Sequence, residues 1–413
     1  MAHQVESDAL APQMLLDRAV IDDPYPFYQR LVTEAPVWRV PGTDVVIVSS
    51  FAAISEAVKR VADFSSNIRG LLYRGDDGVP LVLPFDGGDG VDTLATADPP
   101  VHTAHRAAVF PELVSRRMAT LRPEVEELAR RHLDAALASS SVEAMGAIAN
   151  AIPIRVVSKL IGFRSEDPEQ LLRAAFDSTA MLAATQPLSV INGSMERTFE
   201  VVGWISEQLQ QARAAGDRDG IISAIVTAVD AGEMGEGAGM VIMHTLLSAG
   251  GESTTSLLGN AMHFMASMPD LQARLRSDRA LLTPFIEEVL RLESPFRYHL
   301  RHAPADTELM GVPVPGGATV LLLWAAANRD PAEYDRADEV VLEREAPRHH
   351  LGFGRGIHLC VGAPLARLEA EVVLGLLLDL TSSIALDDSR RLERENSLMV
   401  RRFAQLPMVL EPA

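Results

Sequence analysis

Apolar residues recur at three- and four-residue spacing along most of the chain, which predicts amphipathic helices wherever the pattern persists. It is clear over Phe27–Val32, Phe51–Val61, Val125–Leu137 and Ile152–Ile161. The longest run, Glu236–Met268, stops before Pro269, which disfavours helical backbone in the residue ahead of it. Strand-like pieces are few and short. Val37–Val40 and Val45–Ser49 flank Pro41-Gly42, which predicts a hairpin, and Pro313, Pro315, Gly316 and Gly317 predict another within Leu309–Leu323. Late strands are expected near Val400–Phe403 and Met408–Leu410. Arg329–Gly356 shows little periodicity, and Gly70–Val91, rich in Gly and Asp, is expected to be a mobile functional loop. Strands and helices do not alternate, so a doubly wound sheet is disfavoured. The fold class predicted is mainly α with small antiparallel β-sheets.

Composition narrows the function classes. A length of 413 residues suggests two or three domains, but no repeat or low-complexity linker divides the chain. Lys plus Arg total 37 against 56 Asp plus Glu, a net charge of −19. That argues against nucleic acid and anionic membrane as partners, which need a basic footprint. No apolar run approaches the roughly 18–20 residues of a membrane span. Met1–Leu10 carries Glu6 and Asp8 and lacks a secretory pattern, so a cytoplasmic protein is expected. The single cysteine, Cys360, excludes an intramolecular disulfide and a multi-cysteine zinc site, and fits a reducing compartment.

Cys360 has unusual neighbours. Gly352, Gly354, Gly356 and Gly362 surround it, and glycine suits close approach of backbone to a ligand. Val361–Leu380 reads as a helix with Pro364 in its first turn, so the sulfur precedes a helix N-terminus, where a thiolate is stabilised. A thiolate serves as nucleophile or metal ligand. A nucleophile elbow needs glycine where His358 stands and a parallel sheet beneath it. Haem iron, by contrast, needs only one proximal protein ligand, and thiolate is one.

Phe353-Gly354-Arg355-Gly356-Ile357-His358-Leu359-Cys360-Val361-Gly362 matches every fixed position of the haem-binding signature of the cytochrome P450 family, which this chain resembles from Asp23-Pro24-Tyr25 to Leu406-Pro407. The resemblance implies one P450-fold domain over residues 1–413, holding haem b (iron protoporphyrin IX). Cys360 would be the axial iron ligand, with Phe353, Gly354, His358 and Gly362 along the haem. Glu288 and Arg291, three apart on one helix face, and Arg344 match the family's structural Glu-Arg-Arg triad. Asn328-Arg329-Asp330-Pro331 matches as well. His102 and Arg106 fall at the start of the family's C helix, and Arg301 where it keeps a propionate-binding arginine. Ala249, Gly250 and Glu252 match its distal-helix pattern. Ser253 replaces the usual threonine, with Thr254 next. Glu252, Ser253 and Thr254 are thus the expected proton-delivering residues, and Gly250-Gly251 a widened turn at the haem. Arg402 stands where the family commonly has glycine.

By the same resemblance, substrate contacts come from Gly70–Val91, Asp177–Met195, Leu246, Phe296, Arg297, Tyr298, His299 and Met399 in the terminal turn. Arg297 or His299 is the residue expected to orient a polar group of a small, mainly apolar substrate. The reaction implied is insertion of one oxygen atom from dioxygen. Electrons would come from ferredoxin and ferredoxin reductase with NAD(P)H, docked on Arg106, Arg116, Arg117, Arg355 and Arg367. Alternatives are a peroxide-using or non-oxygenating haem-thiolate enzyme, a haem-binding sensor and a cysteine hydrolase.

Overall fold

The structure, a computed structural model, describes residues 9–85, 92–164, 167–216 and 220–413; the side chains of 115–117 and 168 lie outside that description. Its first half contains α1 (Arg18–Asp22), α2 (Tyr25–Glu34) and α3 (Phe51–Ala57), then α4 (Val101–Val109), α5 (Ser115–Leu137) and α6 (Ala151–Ile161). Next come α7 (Pro168–Met181), α8 (Leu188–Ala215), α9 (Ile221–Asp230) and α10 (Glu236–Ser267). The remaining helices are α11 (Pro269–Ser277), α12 (Leu282–Leu292), α13 (Trp324–Ala327) and α14 (Ala363–Leu380). No helix of the described residues is long and apolar enough to cross a membrane.

The α10 helix runs through the middle and packs against α6, α7, α8 and α14. Its central residues are buried all round, as expected for a helix apolar on every side. The boundaries follow local chemistry. Pro269 ends α10 and opens α11, and Pro364 is accommodated in the first turn of α14, where a missing N–H costs nothing.

Small sheets flank the helices. β1 (Val37–Arg39) pairs antiparallel with β2 (Val45–Val48), the hairpin expected around Pro41-Gly42. Gly70–Val91 is a correction: β3 (Gly70–Arg74) pairs with β4 (Pro80–Pro84), while residues 86–91 lie outside the description. Gly75, Asp76, Asp77 and Gly78 form the turn, where Gly78 takes φ +81°. After β5 (Ser141–Glu143) comes β6 (His299–His302), then β7 (Thr307–Leu309) and β8 (Val312–Val314). The hairpin within Leu309–Leu323 turns at Met310-Gly311, not at the later Pro-Gly run, because both residues adopt positive φ. Gly316-Gly317 instead leads into β9 (Thr319–Leu322), which joins β2 in parallel and β6 antiparallel. β10 (Thr381–Leu386), β11 (Glu393–Arg394), β12 (Phe403–Gln405) and β13 (Pro407–Pro412) complete the chain. Val400 forms only an isolated bridge, to Phe296.

Candidate active site

The cysteine loop folds back on itself before α14. The Cys360 amide donates to Phe353 O at 2.9 Å, and Gly354 N to Leu351 O at 2.8 Å. Gly354 and Gly356 adopt φ +69° and +78°, a region other residues enter only under strain. The sulfur lies deep in the protein but is open to an internal cavity. Burial pushes the thiol above its ordinary value, while the N–H groups of Gly362 and Ala363 and then Arg367 and Arg106 pull it down. The helix terminus alone therefore does not hold a thiolate, contrary to the expectation; a bound metal cation would remove the proton.

The cavity, about 220 Å³, lies between this loop and α10. Leu94, Val157, Leu160, Leu246, Ala249 and Phe296 give it apolar walls, and Gly250, Phe353, Gly354, His358 and Gly362 also face it. One rim is polar. His102, Arg106, Arg301 and His358 line it. His358 Nε2 meets Ser66 Oγ at 2.8 Å, and its ring lies 4.3 Å from that of His102, whose buried Nε2 has no partner among the described residues. Burial, with Arg301 and His102 adding to it, drives His358 to about 3; burial also lowers His102. Both imidazoles are neutral, whereas Arg301, pulled down to about 10 by burial, stays charged. A single sulfur beside a largely apolar space, with cations and orphaned nitrogen at one rim, fits an iron porphyrin bearing two carboxylates.

Across the cavity from the sulfur, Ser253 and Thr254 face inward, and the Ser253 hydroxyl donates to Ala249 O at 2.6 Å. No widened turn occurs: α10 is continuous through Gly250 and Gly251. A Cβ on either would come within 2.8 Å of Val157 or 2.7 Å of Ile154, so the glycines let α10 approach α6. Glu252 points away from the cavity. It is 3% exposed, accepts from Thr179 Oγ1, and meets Arg402 Nε at 3.2 Å. Arg402 in turn holds Glu395 at 2.9 Å and stacks 4.3 Å over Phe176. Burial raises Glu252 to about 7, and Arg402 opposes that rise. Arg402→Gly is therefore expected to move the titration upward, leaving Glu252 almost wholly protonated at pH 7. Infrared difference spectra against Glu252→Gln report this; an unshifted carboxyl band rejects it.

The structure brings the three residues of the resemblance's triad together. Arg291 donates Nε and Nη2 to Glu288 at 2.8 and 2.9 Å, and Arg344 adds Nε at 2.9 Å. Sequence reasoning missed its neighbour. Glu287 accepts both Nε and Nη2 of Arg367 at 2.6 and 2.9 Å and meets His350 Nε2 at 2.9 Å, tying α12 to α14 and the segment before the cysteine loop. These bonds commit Arg367 to the fold. Arg106 donates to Leu359 O at 3.0 Å and Arg355 stacks on Phe51; the side chains of Arg116 and Arg117 lie outside the description.

Several expected substrate contacts are corrected. Arg297 is 1% exposed and off the cavity, donating to the carbonyls of Ile21 (3.2 Å) and Ser397. It lies in the irregular stretch between the isolated Phe296 bridge and β6. Tyr298 reaches Leu182 O at 2.8 Å, and Met399 packs in the core beside the N-terminal helices. Nor do the described parts of Gly70–Val91 and Asp177–Met195 line the cavity. Arg297→Leu is expected to leave the relative affinity for acidic and neutral ligands unchanged while costing about 1–3 kcal/mol for the orphaned Ser397 carbonyl, since Ile21 O keeps Arg401 Nη1. Ligand titration with thermal unfolding checks both halves.

Residues 28–401 match the family model for cytochrome P450. Cytochrome P450 144 of Mycobacterium tuberculosis is 38% identical, over 95% of this chain and 90% of its own. Cytochrome P450 monooxygenase PikC of Streptomyces venezuelae is 33% identical, over 89% and 86%. The solved structure of cytochrome P450 CYP109Q5 from Chondromyces apiculatus superposes with a TM-score of 0.82 at 28% identity, covering 97% of this chain and 98% of that one. The chain belongs to the cytochrome P450 family of haem-iron monooxygenases.

Proposed function

We propose that this enzyme inserts one oxygen atom from O2 into a small, mainly apolar organic substrate, with electrons from an external ferredoxin and its NAD(P)H-dependent reductase. The observation that carries this reading is the largely apolar cavity lined by both Cys360 and Ser253. The cofactor is haem b, held by Cys360 and by the Arg106, Arg301, His102 and His358 rim; when bound, it supplies the iron at which dioxygen is reduced. Leu246, Ala249 and Phe296 exclude water and hold the apolar body of the substrate. Ser253 holds a proton at Oγ beside the cavity, with Thr254 adjacent. Glu252, near neutrality and buried behind them, is the acid that replenishes it. Protein and partners work in the cytoplasm as one 1–413 domain docked, through the Arg106 and Arg355 side, on an acidic ferredoxin.

The test is turnover of a ligand selected by its Soret shift. Product with ferredoxin, reductase and NAD(P)H supports the proposal; product with hydrogen peroxide alone, and none with the electron-transfer chain, overturns it.

A further inference from the structure

Of the two residues expected to orient a polar group, only His299 reaches the cavity. His299 opens β6 and faces the cavity, on the same strand face as Arg301 two residues on. Trp324, placed at the start of α13 by the β6–β9 pairing, donates its indole N–H to His299 Nδ1 at 2.7 Å. Indole nitrogen is a donor only, so Nδ1 must accept and the ring proton must sit on Nε2. Phe296 meets the imidazole edge-on at 6.0 Å and 89°, and the Trp324 ring lies 6.0 Å away on another side. Tautomer and orientation are thus both set by neighbours. Burial and then Arg301 lower the imidazole to about 4, so it carries no charge near neutrality.

Three neighbouring donors on this wall already have acceptors. Thr245 Oγ1 donates to Val241 O at 2.8 Å, Ser253 Oγ to Ala249 O, and the Trp324 N–H to His299 itself. Among the described residues, His299 Nε2 has no protein partner.

We propose that His299, fixed by Trp324, presents its Nε2–H as a donor to an oxygen acceptor at the cavity rim, and that Trp324 is its positioning residue. Two acceptors share the needed chemistry: a carbonyl oxygen of the substrate and a carboxylate oxygen of the haem. The substrate arm rests on the monooxygenase reading above; the tautomer does not.

Holoenzyme labelled with 15N-histidine, in its reduced carbon-monoxide form, tests the tautomer through two-bond proton–nitrogen correlations. The His299 signals, identified by their loss in His299→Phe, should show the Nε2–H form between pH 6 and 9, and Trp324→Phe should abolish that preference. Soret titrations with 4-phenylcyclohexanone and phenylcyclohexane then identify the acceptor. A roughly tenfold fall in the ketone-to-hydrocarbon preference in both variants, the scale of one lost hydrogen bond, assigns it to the substrate. An unchanged preference with a shifted haem reduction potential and faster haem loss assigns it to the haem carboxylate. A proton on Nδ1, or Trp324→Phe indistinguishable from wild type in both readouts, overturns the proposal. Failure of oxygen insertion with the Nε2–H form intact would instead reject only the monooxygenase reading.

Discussion

Cys360→Ser is expected to lose the thiolate-type reduced carbon-monoxide spectrum completely and to reduce oxygen insertion below detection. The chain has no second thiol to compensate. An alcohol is a far weaker acid than a thiol, and the Cys360 site disfavours even a thiolate through burial. Only two backbone N–H groups and the more distant Arg367 and Arg106 favour the anion there. Serine would therefore remain protonated or bind as a hard oxygen ligand, without the electron donation that promotes O–O cleavage. The substitution leaves the loop intact, since its backbone bonds run from Cys360 N to Phe353 O and from Gly354 N to Leu351 O. Holoenzyme should thus still form, with altered colour. A Cys360→Ser protein that keeps the thiolate-type spectrum would reject Cys360 as the ligand.

What the sequence disclosed was mostly local. The cysteine loop occupies ten consecutive residues, and the longest helix announced itself by periodicity and the stop at Pro269. The triad was legible because Glu288 and Arg291 are three apart on one helix, with Arg344 recognisable through the family pattern. Contacts made across the fold left little trace. Arg402 and Glu252 are 150 residues apart, and only the departure from glycine marked Arg402 as odd. Arg297 and His299 looked equivalent in the sequence. Only the fold separates them: Arg297 precedes β6 and is held in the core by the carbonyls of Ile21 and Ser397, while His299 opens β6 and lines the cavity. Gly250-Gly251 misled for a related reason: Gly250 does border the cavity, but the pair is needed for the close approach of α6, not for a widened turn.

Glu288→Gln, nearly isosteric, should be among the most destabilising single substitutions in the protein. The carboxylate accepts Arg291 Nε and Nη2, Arg344 Nε and the Val341 amide at 2.9 Å, so every contact it makes is with a donor. Glutamine turns one acceptor into a donor that must face another donor. Arg291, 1% exposed, would be left as an underpaired buried charge, though it would keep the carbonyls of Asn328, Ala337 and Glu339. Breaking a buried pair on one side costs about 3–5 kcal/mol, against a total of about 5–15 kcal/mol for a typical domain. The damage should reach the haem site, because Asn328 also takes the Leu351 amide at 2.7 Å just ahead of the cysteine loop. Acid sensitivity gives an independent readout. Although burial alone would raise Glu288, Arg291, Val341 and Arg344 together hold it below its ordinary 4.5. Its stabilisation is therefore complete above that value and is lost as pH falls through the lower folded value. Glu287 and Glu293, both held near 2, lose theirs in the same direction in either protein. Glu288→Gln should thus show a lower denaturation midpoint at pH 7, reduced haem content, and a shallower further decline below pH 4.5 than the wild type. A variant with wild-type midpoint and haem content would show that the Glu288 cluster does not lock the cysteine loop in place.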